Sequence, residues 1–107
     1  MSRDKRARFK DIEMACLAII NYTSLVDADT DVVFDAIRIR LVEIGEAVKD
    51  LDDVELSTEP DVPWSDMIRM RDLLAHRYFD TTHGIVMDTA GNDIPELLAA
   101  IRRLQEK

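Results

Sequence analysis

Apolar residues recur at helical spacing in four stretches of the chain, with polar residues between them. In the first, from about Lys5 to Leu25, Ile12, Ala15, Cys16, Ile19 and Ile20 share one face, which predicts an amphipathic helix. Asp29, Thr30 and Asp31 supply a capping signal. A second helix follows from about Asp31 to Leu51, with Val33, Ile37, Leu41, Ile44, Val48 and Leu51 in one stripe and Val32, Ile39 and Val42 as a second apolar flank. This pattern predicts the most buried helix of the fold. Gly45 within it costs about 1 kcal/mol of helix propensity relative to Ala, so another helix or a side chain is expected to pack closely there.

The next stretch, 52–62, carries Asp52, Asp53, Glu55, Glu59, Pro60 and Asp61 without a basic residue and predicts a solvated acidic connection. Pro63 is suited to the first turn of a third helix running through Trp64, Met67, Ile68, Leu74 and Ala75 to about Tyr78 or Phe79. Thr81, Thr82 and Gly84 predict a loop that includes His83, and Ile85, Val86 and Met87 are too short a run to assign by period. Asn92 or Asp93 can cap a last helix with Pro95 in its first turn and Leu97, Leu98, Ile101 and Leu104 on its apolar side. The expected fold is all-α, an antiparallel four-helix bundle forming a single domain over 1–107.

Composition narrows the function. With 107 residues, 47% apolar and only 3 Gly and 3 Pro, the chain suits one helical domain better than a many-stranded β fold. Cys16 is the single cysteine, so neither an intrachain disulfide nor a cysteine-based zinc site is expected. No apolar run is long enough to span a bilayer, and the charged start is unlike a signal sequence, so the expected setting is cytoplasmic. The net charge is −8, yet Arg3, Lys5, Arg6, Arg8 and Lys10 crowd the basic segment 1–10. Nucleic acid is therefore not expected to be held by a broad basic face, and phosphate chemistry must come from a local cluster.

Arg71 is the anomaly in the pattern. At about 100° per residue it falls amid the third helix's apolar stripe, with Trp64, Met67, Ile68, Leu74 and Ala75 all within about 60° of it. Buried guanidinium must be paired, hydrated or opened to a cleft, because it cannot shed its charge. A salt bridge to Glu46 on the second helix is one expectation, and a functional anion site is the other. Asp72 and His76 are one turn apart, so the carboxylate is expected to orient the imidazole or hold it protonated. His76 lies about 140° from Arg71, and the two would line opposite walls of one groove. Two copies meeting across a twofold axis would give each groove two arginines and two histidines. Such a cluster suits RNA cleavage without a metal: imidazole moves protons near neutral pH, and guanidinium neutralises charge building on the phosphoryl oxygens. With His76 and His83 as the only histidines, no metal-ligand motif is evident.

Residues Arg71-Asp72-Leu73-Leu74-Ala75-His76-Arg77-Tyr78 resemble the Arg, four residues, His, any, Tyr motif of the HepT-like branch of the HEPN superfamily. Ile44-Gly45-Glu46-Ala47, Val62-Pro63-Trp64 and Asp93-Ile94-Pro95-Glu96-Leu97 resemble further family segments in matching order, from about Lys10 to Leu104. Near Met87, where relatives often have tryptophan, the sequence departs from the pattern. This resemblance implies an all-α HEPN-like homodimer with its cleft at the interface, the toxin half of a toxin–antitoxin pair. It implies Arg71 and His76 as ribonuclease residues, Asp72 in support, RNA as substrate, and Tyr78 as the site where a cognate minimal nucleotidyltransferase antitoxin attaches adenylate. An adenylate there would set a negative phosphodiester near the arginine stripe, in competition with RNA phosphate.

The alternative is a noncatalytic helical dimer that binds nucleotide or serves as docking substrate of the nucleotidyltransferase. No cofactor, metal or membrane partner is expected. Cys16 reads as a packed thiol, His83 as a loop residue without a partner, the methionines as core or interface filler, and the basic start as a solvated, frayed end able to contact RNA or an acidic partner.

Overall fold

The computed structural model describes the backbone of residues 4–25, 27–76 and 79–107 and the side chains of these apart from 79–83. Its elements are α1 (Lys5–Thr23), α2 (Thr30–Lys49), the single turn α3 (Asp53–Leu56), α4 (Trp64–Ala75), α5 (Phe79–Asp88) and α6 (Ile94–Glu106). Among the described residues there is no strand. α1 packs on α2 and α6, and α4 packs on α2, giving the expected all-helical bundle.

The helices begin where short polar side chains can take orphan amide groups. The Asp4 carboxylate accepts from the Arg6 N–H at 2.6 Å, and Asp29 accepts from Asp31 and Val32 at 2.8 and 3.2 Å. Ile12, Cys16 and Ile19 of α1 join Ile37, Leu41, Ile44 and Val48 of α2, Leu74 of α4 and Leu97 and Ile101 of α6 in one buried cluster. On α2 the main stripe is buried as expected. The second flank is not uniformly buried: Val32 and Ile39 are exposed while Val42 packs partly against the core, since neighbouring helices cover only one side of α2.

Three expectations change. The segment 52–62 is not simply a solvated linker, because it contains α3 and is pinned at two points. Trp64 donates its indole N–H to the carbonyls of Leu56 and Glu59 at 3.1 and 3.0 Å, and the Glu59 carboxylate receives two nitrogens of Arg103 on α6, the shorter contact being 2.7 Å. Arg103 accordingly holds the Glu59 carboxyl below the usual carboxylate range. Pro63 is the N-cap of α4 rather than a residue of its first turn, and α4 ends at Ala75 with His76 as its C-cap.

The third change concerns 81–93. The backbone there is helical, in α5 and then a five-residue π-helical turn, Thr89–Asp93, that joins α5 to α6 without a break. Its wider bond is visible where the Ile94 N–H reaches the Thr89 carbonyl, and Thr89 also donates its hydroxyl to Ile85 at 2.8 Å. The wider turn relieves the clash that Pro95 would impose on a regular helix, and this is why turn-like residues sit within a continuous rod. Ile85 is exposed, Val86 is buried and Met87 is intermediate, a pattern too short to identify from sequence.

Cys16 is fully buried, and burial pushes its thiol up to about 12. The thiol should resist aromatic disulfide reagents until the protein is unfolded, as absorbance at the thiolate band would record. Because the folded value lies above the ordinary thiol value, its stabilising contribution is complete below about pH 9 and is lost as pH rises toward 12. Urea midpoints measured between neutral and alkaline pH should therefore fall more steeply for the native chain than for Cys16→Ala.

Replacing Trp64 with Phe keeps ring burial but leaves the Leu56 and Glu59 carbonyls without their donor. Urea unfolding should show a loss of about 1 to 2 kcal/mol.

Candidate active site

The site is organised by the approach of α4 to α2. A Cβ placed on Gly45 would lie 2.3 Å from the Arg71 Cβ, 3.0 Å from its Cγ and 3.0 Å from the Met67 carbonyl. Glycine is thus required so that the stem of Arg71 can lie across α2, the close packing expected from the propensity penalty. Leaving that gap, the guanidinium emerges with its side chain 30% exposed.

Two carboxylates receive it. Nη1 lies 2.8 Å from Asp72 Oδ1, and Nη2 lies 3.5 Å from Glu46 Oε1. The salt bridge to Glu46 is therefore present, but as the longer of two contacts. The Asp72 hydrogen bond is the main reason that the guanidinium's pKa is raised, and in return Arg71 holds the Asp72 carboxyl below its ordinary range. Arg71 Nε is buried without a partner. One guanidinium thus faces two carboxylates, and Lys49 also acts on Asp72 through its charge.

Asp72 does not orient His76 through its carboxylate, as the sequence suggested. Its side chain turns to Arg71, and its main-chain carbonyl meets His76 Nδ1 at 2.6 Å. The physical cause is the tightening of α4 at its end: the His76 N–H bonds to Leu73 at 3.2 Å instead of to the carbonyl of Asp72. The freed carbonyl can only accept, so Nδ1 is the protonated nitrogen and Nε2 is the free end of the ring. Asp72 consequently joins the two motif residues, one through each of its polar groups.

Arg71 and His76 face different sides, as their spacing predicted, but within one chain they do not line opposite walls of one groove, because Arg71 is not part of the groove that His76 lines. Arg71 lies against Gly45 and Glu46, while His76 lines a groove of about 610 Å³ with Asp66, Arg69, Met70, Asp72, Leu73 and Ile85. Arg69 is tied to Asp66 at 2.5 Å on the groove's rim. Ile85 had no recognisable signal as a site residue because its run is too short to show a period. Tyr78, the expected adenylation site, lies outside the described residues, and so does the side chain of His83. Among the described residues no cluster of three or more His, Cys, Asp or Glu is arranged to hold a metal, and no helix is long and apolar enough to cross a membrane.

Comparison with known proteins shows the family. The family described as "Ribonuclease HepT-like" matches residues 12–104. A Thermococcus cleftensis protein named "Probable ribonuclease HepT" is 33% identical over 113 residues, covering 99% of this chain and 100% of its own. A Methanocaldococcus jannaschii protein named "Putative RNase" is 32% identical over 112 residues, covering 95% and 88% respectively. Another of that name from Caldanaerobacter subterraneus subsp. tengcongensis is 35% identical over 85 residues, covering 78% and 76%. No solved structure matches the chain.

Gly45 and Gly84 make an internal comparison of the packing argument. Gly84 is exposed in α5 with nothing within 4 Å of an added Cβ, so Gly84→Ala should stabilise by about 0.5 to 1 kcal/mol through helix propensity. At Gly45 the same gain is outweighed by separating α2 from α4, and Gly45→Ala should destabilise by about 1 to 3 kcal/mol. Denaturant midpoints that move the same way for both variants would contradict this arrangement.

Proposed function

Since the chain belongs to the HepT-like ribonuclease family, we propose that it is the toxin of a toxin–antitoxin pair and acts as a metal-independent endoribonuclease. The observation that carries this reading is the link through Asp72, which holds Arg71 by its carboxylate and His76 Nδ1 by its carbonyl, leaving Nε2 outside that bond on a side chain that lines the groove. In the reaction the ribose 2′-oxygen attacks the adjacent phosphorus and the bond to the 5′-oxygen breaks, giving a 2′,3′-cyclic phosphate and a free 5′-hydroxyl. A neutral imidazole takes the 2′-hydroxyl proton at Nε2, and a protonated imidazole gives a proton to the departing 5′-oxygen. Arg71 neutralises the charge on the nonbridging oxygens, exchanging Glu46 for phosphate at its more distant Nη2.

One histidine cannot be base and acid in the same step. A homodimer with its cleft at the interface supplies the second, and exposed Ile85 beside half-buried Met70 and Leu73 gives this groove an apolar surface suited to a second copy. Tyr78, two residues beyond His76, is the position at which a minimal nucleotidyltransferase antitoxin would attach adenylate from ATP. The added phosphodiester would compete for Arg71 and block the groove.

The competing reading is a dimer that binds nucleotide or its antitoxin without cleaving RNA. The occupation of Arg71 by two carboxylates favours it, because an arginine committed to structure would look the same.

Purified protein should cleave RNA in EDTA, and gel analysis should reveal cyclic phosphate ends. Arg71→Lys should reduce the rate by about 10²-fold or more, and His76→Ala by about 10²-fold to 10⁴-fold, with helicity preserved. Full activity in both variants would overturn the assignment; absence of cleavage with retained nucleotide binding would establish the competing reading. Intact-mass measurement with the cognate nucleotidyltransferase and ATP should show one adenylate per chain, lost in Tyr78→Phe.

A further inference from the structure

The basic start of the chain is not isolated in the folded protein. α1 carries Lys5, Arg6 and Lys10 into a groove of about 650 Å³ that is closed on its other sides by Val54, Glu55 and Thr58 around α3 and by Leu104, Gln105 and Lys107 at the end of α6. Four cations and one carboxylate thus line one concavity, in a chain whose net charge is −8. Phe9 and Leu104 contribute its apolar floor and Val54, 77% exposed, an apolar rim.

Arg6, Lys10 and Lys107 are the available cations, whereas Lys5 is tied to Glu55, a mostly buried carboxylate whose Oε2 has no hydrogen-bond partner among the described residues. Lys5 meets Glu55 at 3.5 Å, Lys10 meets Glu13 at 3.3 Å and Lys107 meets Glu59 at 3.6 Å. Lys10 and Lys107 are more than half exposed, where such pairs contribute little. Glu59 is already held by Arg103 at 2.7 Å, and Glu13 by Arg102 and Gln105, so those carboxylates keep partners when the lysines turn away. Arg6 makes no ion pair among the described residues and is exposed. At the motif, by contrast, one guanidinium sits between two carboxylates. That cluster can act on a phosphate but is poorly suited to attract one.

We propose that the groove between α1, α3 and α6 is a second RNA-binding site, which captures single-stranded RNA by its phosphates and presents it to the Arg71/His76 cleft. This inference rests on RNA being the substrate. Arg6, Lys10 and Lys107 contact successive phosphates, and the apolar surface of Val54 accommodates a base. The acidic exterior keeps nonspecific binding weak, so affinity is concentrated where the cations converge.

The test is fluorescence anisotropy on the full chain with a labelled single-stranded RNA oligonucleotide whose 2′-oxygens are methylated, so that it binds but cannot be cleaved. An Arg6→Ala, Lys10→Ala and Lys107→Ala variant should bind at least about tenfold more weakly, and the slope of log affinity against log salt should shrink by about two. Replacing Lys10 and Lys107 with arginine should preserve binding, which separates charge from a fold defect. Cleavage of a dinucleotide, too short to reach the groove, should be unchanged in the alanine variant while cleavage of the oligonucleotide falls.

Equal RNA affinity of the alanine variant and the native chain overturns the proposal, as does absence of RNA binding by the native chain. So does tighter binding of polyglutamate than of RNA at matched charge and salt, which would assign the site to an acidic polypeptide. Groove-dependent binding without any cleavage would instead retain the site and overturn the ribonuclease reading.

Discussion

The contact between Gly45 on α2 and the stem of Arg71 on α4 is the constraint from which the site follows. A side chain at position 45 would overlap the first two carbons of that arginine, so the helices could not approach as closely and the guanidinium could not emerge beside Glu46. Helix propensity is sacrificed at one position so that a charged residue can occupy an otherwise apolar helix face. Aliphatic carbons of Arg71 fill the interface, and its charged head reaches the edge.

Asp72 turns that packing into a potential active site. Its carboxylate belongs to the arginine, and its carbonyl becomes available to His76 because α4 tightens at its last turn. The imidazole is thereby placed by the end of a helix rather than by a flexible acid partner. Such an arrangement fixes which ring nitrogen is free without requiring a buried charge. The same end of α4 opens onto an apolar groove, where a second copy would have surface to bury.

Away from the motif, Glu13, Asp50, Glu55 and Glu59 join elements distant in sequence. Glu59 ties the connection before α4 to Arg103 on α6, and Glu13 on α1 reaches Arg102 and Gln105. Trp64 secures that connection from the other side through two carbonyls. These links draw the start of α1, the single turn α3 and the end of α6 around one concavity. A net negative protein is in this way left with a cationic groove apart from its motif.

Much of this was legible in the sequence, because helix formation is local: the stripe on α2, the Asp29 cap and the amphipathic α6 depend on residues a few positions apart. The penalty at Gly45 likewise signalled a close neighbour, and the displaced arginine on α4 signalled a site. Residues 81–93 misled because Thr, Gly and Asn favour a turn locally, whereas a π-helical turn with Thr89 and Ala90 buried accommodates the following Pro95 and keeps the backbone helical. Sequence likewise could place Asp72 near both Arg71 and His76 but could not divide its carboxylate from its carbonyl, since that choice depends on how α4 ends. Tertiary structure alone decided that Asp72 holds Arg71 more closely than the expected Glu46 does, and that Lys107 joins Lys5, Arg6 and Lys10. Periodicity reports which face a residue occupies; only the meeting of helices determines which charge it faces.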